Sequence, residues 1–290
     1  TDYLGKRDEA LVDYAAAIEL RRTLVEVEQR SDLAADLAQT HTYRGSTLRA
    51  LKRIQDAVID YNKAVDIYTT LIESCPTPEL LRQLALAHNS LGLIYLDQGE
   101  LQKAADSCSR ALEINESLSE EEIGQELRVD RAVARNNRGE AHRRAGAFHP
   151  AFVDYSEAVE SYTHLIAEGR RDLMRDLALS QNNRARVALV LGDGKTALHD
   201  SSRALEIFIY LIEQQGRGDL LPHLGVAYSN RGAAQTRLNA FEKGLTDLGR
   251  AIDLYRLLIE DSGRSEFFDE LALAYRRRAK ALLELGKQQA

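Results

Sequence analysis

The side chains from which metal or nucleophile chemistry could be built are seven histidines and two cysteines: His41, His88, His142, His149, His164, His199, His223, Cys75 and Cys108. A metal set or a nucleophile–base pair needs such residues gathered at close spacing or around a recognisable loop. Neither cysteine stands at a ligand-like spacing from a histidine, and the chain has no glycine-rich phosphate loop and no nucleophile elbow. His41 and His88 occupy equivalent positions, whose later counterparts are Arg135, Gln181, Tyr228 and Tyr275. That series describes a site tolerant of planar groups, not a set of ligands. Arg217-Gly218-Asp219 has the form of an adhesion tripeptide, but it is only the local version of Arg30-Ser31-Asp32 and Arg170-Arg171-Asp172. The reading is a non-catalytic chain with no cofactor and no metal.

Polar residues that recur in register are more informative. Small residues fall at Gly45, Gly92, Gly139, Ala185, Gly232 and Ala279, with spacings of 47, 47, 46, 47 and 47. One residue before them stand Arg44, Arg138, Arg184, Arg231 and Arg278, and a second row holds Asp60, Asp154, Asp200 and Asp247. Where the arginine is replaced by Leu91, the aspartate is replaced by Ser107, so both partners disappear together. Joint loss points to an ion pair within each repeat, Arg44 with Asp60, Arg138 with Asp154, Arg184 with Asp200 and Arg231 with Asp247, the guanidinium fork matching a carboxylate. A further row, two and three residues before the small residue, holds Asn89, Asn136, Asn137, Asn182, Asn183 and Asn230. Asparagine costs roughly 0.5 kcal/mol or more against alanine inside a helix, so its recurrence there asks for a reason.

These rows need elements that repeat with them. Two more small-residue series, Ala10 through Gly244 and Ala17 through Ala251, keep the same register over the whole length, leaving no room for an unrelated domain. Each unit reads as two helices, one through stretches such as 173–191 and one through stretches such as 197–212, both with apolar residues at helical spacing. Gly5, Gly99, Gly146, Gly192, Asn239 and Gly286 mark turns within units, and Gly169, Gly216 and Gly263 mark turns between them. Thr77-Pro78-Glu79 reads as a helix start with a cap hydroxyl, a first-position proline and an acid.

The order small residue, glycine turn, alanine, aromatic, alanine resembles the tetratricopeptide repeat (TPR), most closely at Gly92, Tyr95, Gly99, Ala104 and Ala111. The resemblance runs through the chain but departs from the usual unit of 34 residues. The extra residues lengthen both helices, in segments such as 161–166 and 176–178. The resemblance implies an all-α, right-handed solenoid superhelix of antiparallel hairpins, about 12 helices, with a concave face lined by first helices. Residues 1–290 then form one repeat domain: an orphan second helix, five complete pairs and an orphan first helix, as expected of a fragment of a longer protein. Exposed half-repeats, with Leu11, Ile18 and Val25 at one end and Leu271, Leu282 and Leu285 at the other, suggest head-to-tail self-association.

In some superhelices of this family an asparagine row on the concave face binds the backbone of an extended peptide, and a primary amide has the donor and acceptor for it. The same side of the first helix carries Arg49, Arg143, Arg144, Arg186, Arg237, Arg276, Arg277 and Lys280 against only Asp97, Glu140 and Glu284, in a chain whose formal charge is −7. The expected partner is therefore an extended, anionic peptide, bound by the asparagine row with Arg143, Arg144, Arg186, Arg237 and Arg277. The family's clamp for chaperone C-termini needs lysines in this groove, and Lys280 is the only one. A regulatory arm of a larger signalling or effector enzyme is the alternative reading. Nucleic acid is a third, weakened by the acidic balance and by Tyr43 being the only aromatic on that face. Two cysteines make no disulfide framework, and no apolar run reaches the ~18 residues of a membrane span, so an intracellular, cytoplasmic setting is expected.

Overall fold

The structure, a computed structural model, describes the backbone of residues 2–260 and 263–289, and side chains from 6 to 260 and from 263 to 288. The described residues form thirteen α-helices and four single turns of 3-10 helix, in two compact units, Thr1–Gly146 and Ala147–Ala290. The first unit holds α1 (Asp2–Glu26), α2 (Ala34–Ala50), α3 (Ile54–Ser74), α4 (Pro78–Gln98), α5 (Leu101–Glu116), α6 (Glu120–Ile123) and α7 (Glu126–Arg144). The second holds α8 (Phe148–Ala167), α9 (Met174–Leu191), α10 (Gly194–Gln215), α11 (Leu221–Arg237), α12 (Phe241–Glu260) and α13 (Phe268–Gln289). Within each unit sequential long helices pack as antiparallel hairpins, and first helices of successive repeats also touch: α2 with α4 and α4 with α7 in one unit, α9 with α11 and α11 with α13 in the other.

The small-residue rows set how closely the helices approach. Ala57, Ala64, Ala104, Ala151, Ala197, Ala204 and Ala251 are fully buried. At Gly232 a Cβ would lie 2.8 Å from the Gly244 carbonyl oxygen, so α11 and α12 meet backbone to backbone. Four residues beyond the last alanine row come Tyr68, Tyr162, Phe208 and Tyr255, all buried, which fill the wider space at the far end of each hairpin. Gly99, Gly146 and Gly192 close first helices at positive φ (78°, 80° and 93°), as does Asn239 (61°). Thr77 caps α4 by accepting from the Leu80 N–H at 3.2 Å, with Pro78 behind it.

The expected number of about 12 helices comes to thirteen among the described residues, because the acidic run 120–122 forms the one-turn α6, where Glu122 Oε2 accepts from both the N–H (3.1 Å) and the hydroxyl (2.9 Å) of Ser119. Two expectations need correction. Gly5 and Gly286 are not turns; they lie inside α1 and α13, where no hairpin among the described residues imposes a bend. Ile18 is buried, and Leu11 and Val25 are half-covered, because α2 packs along that stripe; the exposed apolar residues of α1 include Val12 and Leu20. On α13, Leu282 and Leu283 are exposed, whereas Leu271 packs against Tyr255 and its neighbours.

Candidate functional site

Within each hairpin the arginine one residue before the small residue reaches the second helix. Arg44 Nε and Nη2 donate to the two carboxylate oxygens of Asp60 at 2.7 and 2.6 Å; Arg184 does the same to Asp200 at 2.6 and 2.8 Å, and Arg231 to Asp247 at 2.7 and 2.8 Å. Asp200 is 0% exposed and Asp60 1%. Asp60 also accepts from His41 Nδ1 at 2.8 Å, which gives the histidine position a packing role. Burial pushes the Asp60 carboxyl up, but the hydrogen bonds from Arg44 and His41 outweigh it and hold it below the usual carboxylate range. Arg138, on α7, donates to Ser109 Oγ at 3.3 Å, and Asp154 is buried in α8. Leu91 packs in an apolar cluster with Leu48, Tyr61 and Ile94. The adhesion-like tripeptide is a local clip: Arg217 Nε and Nη2 each lie 2.9 Å from an oxygen of Asp219 across a 3-10 turn.

The asparagine row is not laid open to a ligand. Asn89, Asn182 and Asn230 are buried, at 8%, 3% and 1% exposure. Asn137 Nδ2 donates to Asn89 Oδ1 at 3.0 Å, and Asn230 Nδ2 donates to Asn182 Oδ1 at 2.8 Å. Arg277 continues the pattern, with Nη1 donating to Ser229 Oγ at 2.8 Å and Asn230 Oδ1 at 3.1 Å. Asn137, Asn230 and Arg277, each two before the small position, reach back to Asn89, Asn182 and Ser229, each three before it in the preceding repeat and 48 residues away; Arg277 also reaches Asn230, 47 residues away. The expected peptide-binding role of Asn89, Asn137, Asn182 and Asn230 is therefore corrected: these amides stitch first helix to first helix. Helix-to-helix packing turns the −2 and −3 positions toward the neighbouring repeat, and a buried amide must find a partner there. Asn136 is half-buried on α7 and has a partner; Asn183 is half-buried on α9.

The basic residues divide by unit. In the first, Arg49 pairs with Asp97 at 2.7 Å, Arg143 with Glu140 at 2.6 Å, and Arg144 Nη1 donates to the Leu96 carbonyl at 2.6 Å, closing the end of α4. These cations are spent inside the fold. In the second unit Arg237 Nε donates to the Gly192 carbonyl at 2.8 Å, capping α9 in the same way. Among the described residues, however, no carboxylate lies within 4.0 Å of Arg186, Arg276, Arg277 or Lys280. Glu284, the nearby anion, is itself paired with Lys287 at 2.9 Å. Burial, with the like charge of Arg186 and Arg276, pushes the Arg277 guanidinium down to about 10, the mark of a cation short of a counter-ion.

These residues border a groove of about 630 Å³ that crosses three first helices: Leu189 and Val190 on α9, Arg237 on α11, and Arg276, Arg277 and Lys280 on α13. Arg276 and Lys280 are exposed, and Val190 is 59% exposed on its floor. Arg276 and Lys280 belong to the basic strip of the sequence but not to the peptide-binding set expected from it; their one-turn spacing on α13 is the signal that singles them out. Among the described residues no group of three or more His, Cys, Asp or Glu could hold a metal, and no helix is long and apolar enough to cross a membrane.

Comparison with known proteins fits this architecture. Residues 85–118 match the tetratricopeptide repeat family model, the segment that contains Gly92, Gly99, Ala104 and Ala111. The chain is built of TPR-like repeats. Solved structures with this fold include BtubC from P. vanneervenii, 20% identical, covering 87% of this chain and 92% of that one at a TM-score of 0.64. YrrB, described as a TPR protein with an unusual peptide-binding site, is 16% identical over 90% of this chain and 99% of its own, at a TM-score of 0.52. The Rap conjugation gene regulator of plasmid pLS20, solved with the Phr* peptide, is 14% identical over 99% of this chain and 71% of its own, at a TM-score of 0.51. A search of curated proteins by sequence finds no match. The 34-residue match lies inside the longer unit of the TPR-like chain, beginning seven residues after the start of α4 and running past the end of α5, so the first two turns of α4 lie outside the family pattern.

Proposed function

We propose that the chain is a non-catalytic protein-interaction scaffold that binds an extended, acidic peptide segment along the first-helix groove of its second unit. The observation that carries the reading is the set of cations in that groove, Arg276, Arg277 and Lys280, with no carboxylate in ion-pair range among the described residues. Cations confined beside low-dielectric walls focus an anionic partner and raise its rate of encounter. Leu189, Val190 and Leu273 offer apolar contact between the charges, so the groove suits a segment that mixes acidic and apolar residues. YrrB and the plasmid Rap regulator, which share the fold, are described with a peptide-binding site and a bound peptide, and this supports the same class of partner here. We assign Asn183 and Arg186, both half-buried on α9, to the same proposed path.

The test is fluorescence anisotropy with labelled peptides of matched length, one alternating glutamate and leucine, one alternating lysine and leucine. The glutamate peptide binds, and binding weakens as salt rises from 50 to 300 mM, since the Debye length falls below ~10 Å over that range. Equal affinity for both peptides, or none for either, overturns the proposal.

A further inference from the structure

The groove holds more positive charge than one carboxylate can neutralise. Arg276, Arg277 and Lys280 stand within one turn of α13, and Arg237 adds a fourth cation from α11. The single anion in the lining, Glu284, is bonded to Lys287 and shares its charge with Lys280, leaving Arg276 and Arg277 uncompensated by it. Among the described residues Arg277 rests on neutral acceptors, Ser229 Oγ and Asn230 Oδ1, both reached by Nη1, and so retains guanidinium donors for a ligand. Among the described residues it has no carboxylate partner, whereas Arg44, Arg184 and Arg231 each hold a bidentate aspartate. The first unit shows the contrast, since Arg49 and Arg143 on the equivalent face are both paired with carboxylates.

From this charge, geometry and lining we infer that the α11–α13 end of the groove is a site for a phosphomonoester dianion carried on a peptide side chain, with Arg276, Arg277 and Lys280 as its ligands and Leu189, Val190 and Leu273 holding an adjacent apolar residue. A phosphorylated side chain brings a charge of about −1.5 to −2 and three strong acceptor oxygens, where a carboxylate brings one charge and two oxygens. Guanidinium forks bind phosphate through two parallel N–H···O bonds, and the neighbouring ammonium adds a point charge. The volume of about 630 Å³ accommodates one phosphorylated residue and its neighbour, not a folded domain. Arg277 also couples the site to the amide ladder, because the same guanidinium donates to Asn230, which donates to Asn182.

This inference rests on the peptide reading above, and its test separates the two. The probes are a short glycine/serine peptide carrying one phosphoserine beside one leucine, its serine and glutamate counterparts, and the glutamate/leucine peptide. Anisotropy is read on the parent chain and on the Arg276→Gln/Lys280→Gln double variant, whose two positions are exposed. The phosphoserine peptide binds about tenfold or more tighter than the glutamate version, and the double variant loses about tenfold of that affinity. Affinity also rises between pH 5 and 7.5, as the second phosphate ionisation near 6 is completed. Equal binding of the phosphoserine and glutamate peptides, a flat pH profile, or full phosphopeptide affinity in the double variant overturns the phosphate site. If the glutamate/leucine peptide still binds in that case, the broader peptide reading survives. If the phosphoserine peptide alone binds, the phosphate site stands and the extended acidic segment is abandoned.

Discussion

Replacing Arg184 by leucine removes the one cation within ion-pair distance of Asp200 among the described residues and leaves a carboxylate that is 0% exposed without its counter-charge. Breaking a buried pair from one side costs about 3–5 kcal/mol. The reverse change, Asp200→Ser, leaves Arg184 alone, but that side chain is 18% exposed and can reach water, so the cost falls to about 1–3 kcal/mol. The double change Arg184→Leu/Asp200→Ser reproduces what the chain already carries at Leu91 and Ser107, where an apolar cluster takes the place of the pair. It strands no charge and costs about 1–2 kcal/mol, mostly through imperfect packing. The summed single costs therefore exceed the double cost by roughly 4–5 kcal/mol at the midpoints of these ranges. Urea unfolding of the four proteins measures this coupling, with hydrogen exchange of α9 and α10 amides as a local readout, because repeat arrays need not unfold in one step. Additive effects within ~0.5 kcal/mol would show that the two residues do not depend on one another, and the within-repeat pairing would fail.

The remaining predictions concern the ladder, the helix approach, acid sensitivity and self-association. Asn230→Ala deprives both Asn182 and Arg277 of a partner and destabilises by about 1–3 kcal/mol, whereas Asn183→Ala stays within about 0.5 kcal/mol; equal effects in urea unfolding would refute the stitching role. Gly232→Ala places a Cβ against the Gly244 carbonyl and costs about 1–3 kcal/mol, seen as a lowered Tm; an unchanged Tm would mean that α11 and α12 can part without penalty. Burial lowers the pKa of His88 and His223, so the folded state favours their neutral forms. Their stabilisation is present above the unfolded value of about 6.5 and is lost as pH falls through the folded values; Asp60, also lowered, acts only below about 3.9. Tm should fall between pH 6.5 and 5 and fall less in His223→Phe, which keeps the stack on Phe208; identical profiles would remove His223 from the account. Exposed Val12, Leu20, Leu282 and Leu283 favour head-to-tail association, measured by sedimentation from micromolar to millimolar concentration, with Leu20→Ser/Leu283→Ser weakening it. A monomer throughout would refute it.

The repeat register was legible because it is written in backbone proximity: only glycine or alanine fits at positions such as Gly232 and Ala197, so the period survives wherever helices must touch. The Arg–Asp rows were legible for a related reason, since Leu91 and Ser107 abandon both charges at once. The asparagines misled because helical spacing gives the face of a helix but not the rotation between successive first helices. That rotation brings Asn230 to Asn182 and turns both away from water. The regular separation of 48 residues, one more than the repeat, holds this information, but it acquires meaning only once the packing is known. Counting charge on a face had the same limit. Arg49, Arg143 and Arg144 look no different in sequence from Arg276 and Lys280, yet the first three find Asp97, Glu140 and the Leu96 carbonyl while the last two find no carboxylate.

Whether the second-unit groove is the binding surface is read most directly by photo-crosslinking. The glutamate/leucine peptide, carrying a benzophenone in place of one leucine, is irradiated with the chain and the adducts are mapped by mass spectrometry. The account predicts adducts on the first helices that border the groove, at Leu189, Val190, Ala233 and Leu273, and their loss in Arg276→Gln/Lys280→Gln. Adducts confined to the second helices, at exposed residues such as Tyr210 on α10 and Leu257 on α12, and unaffected by the double change, would contradict it.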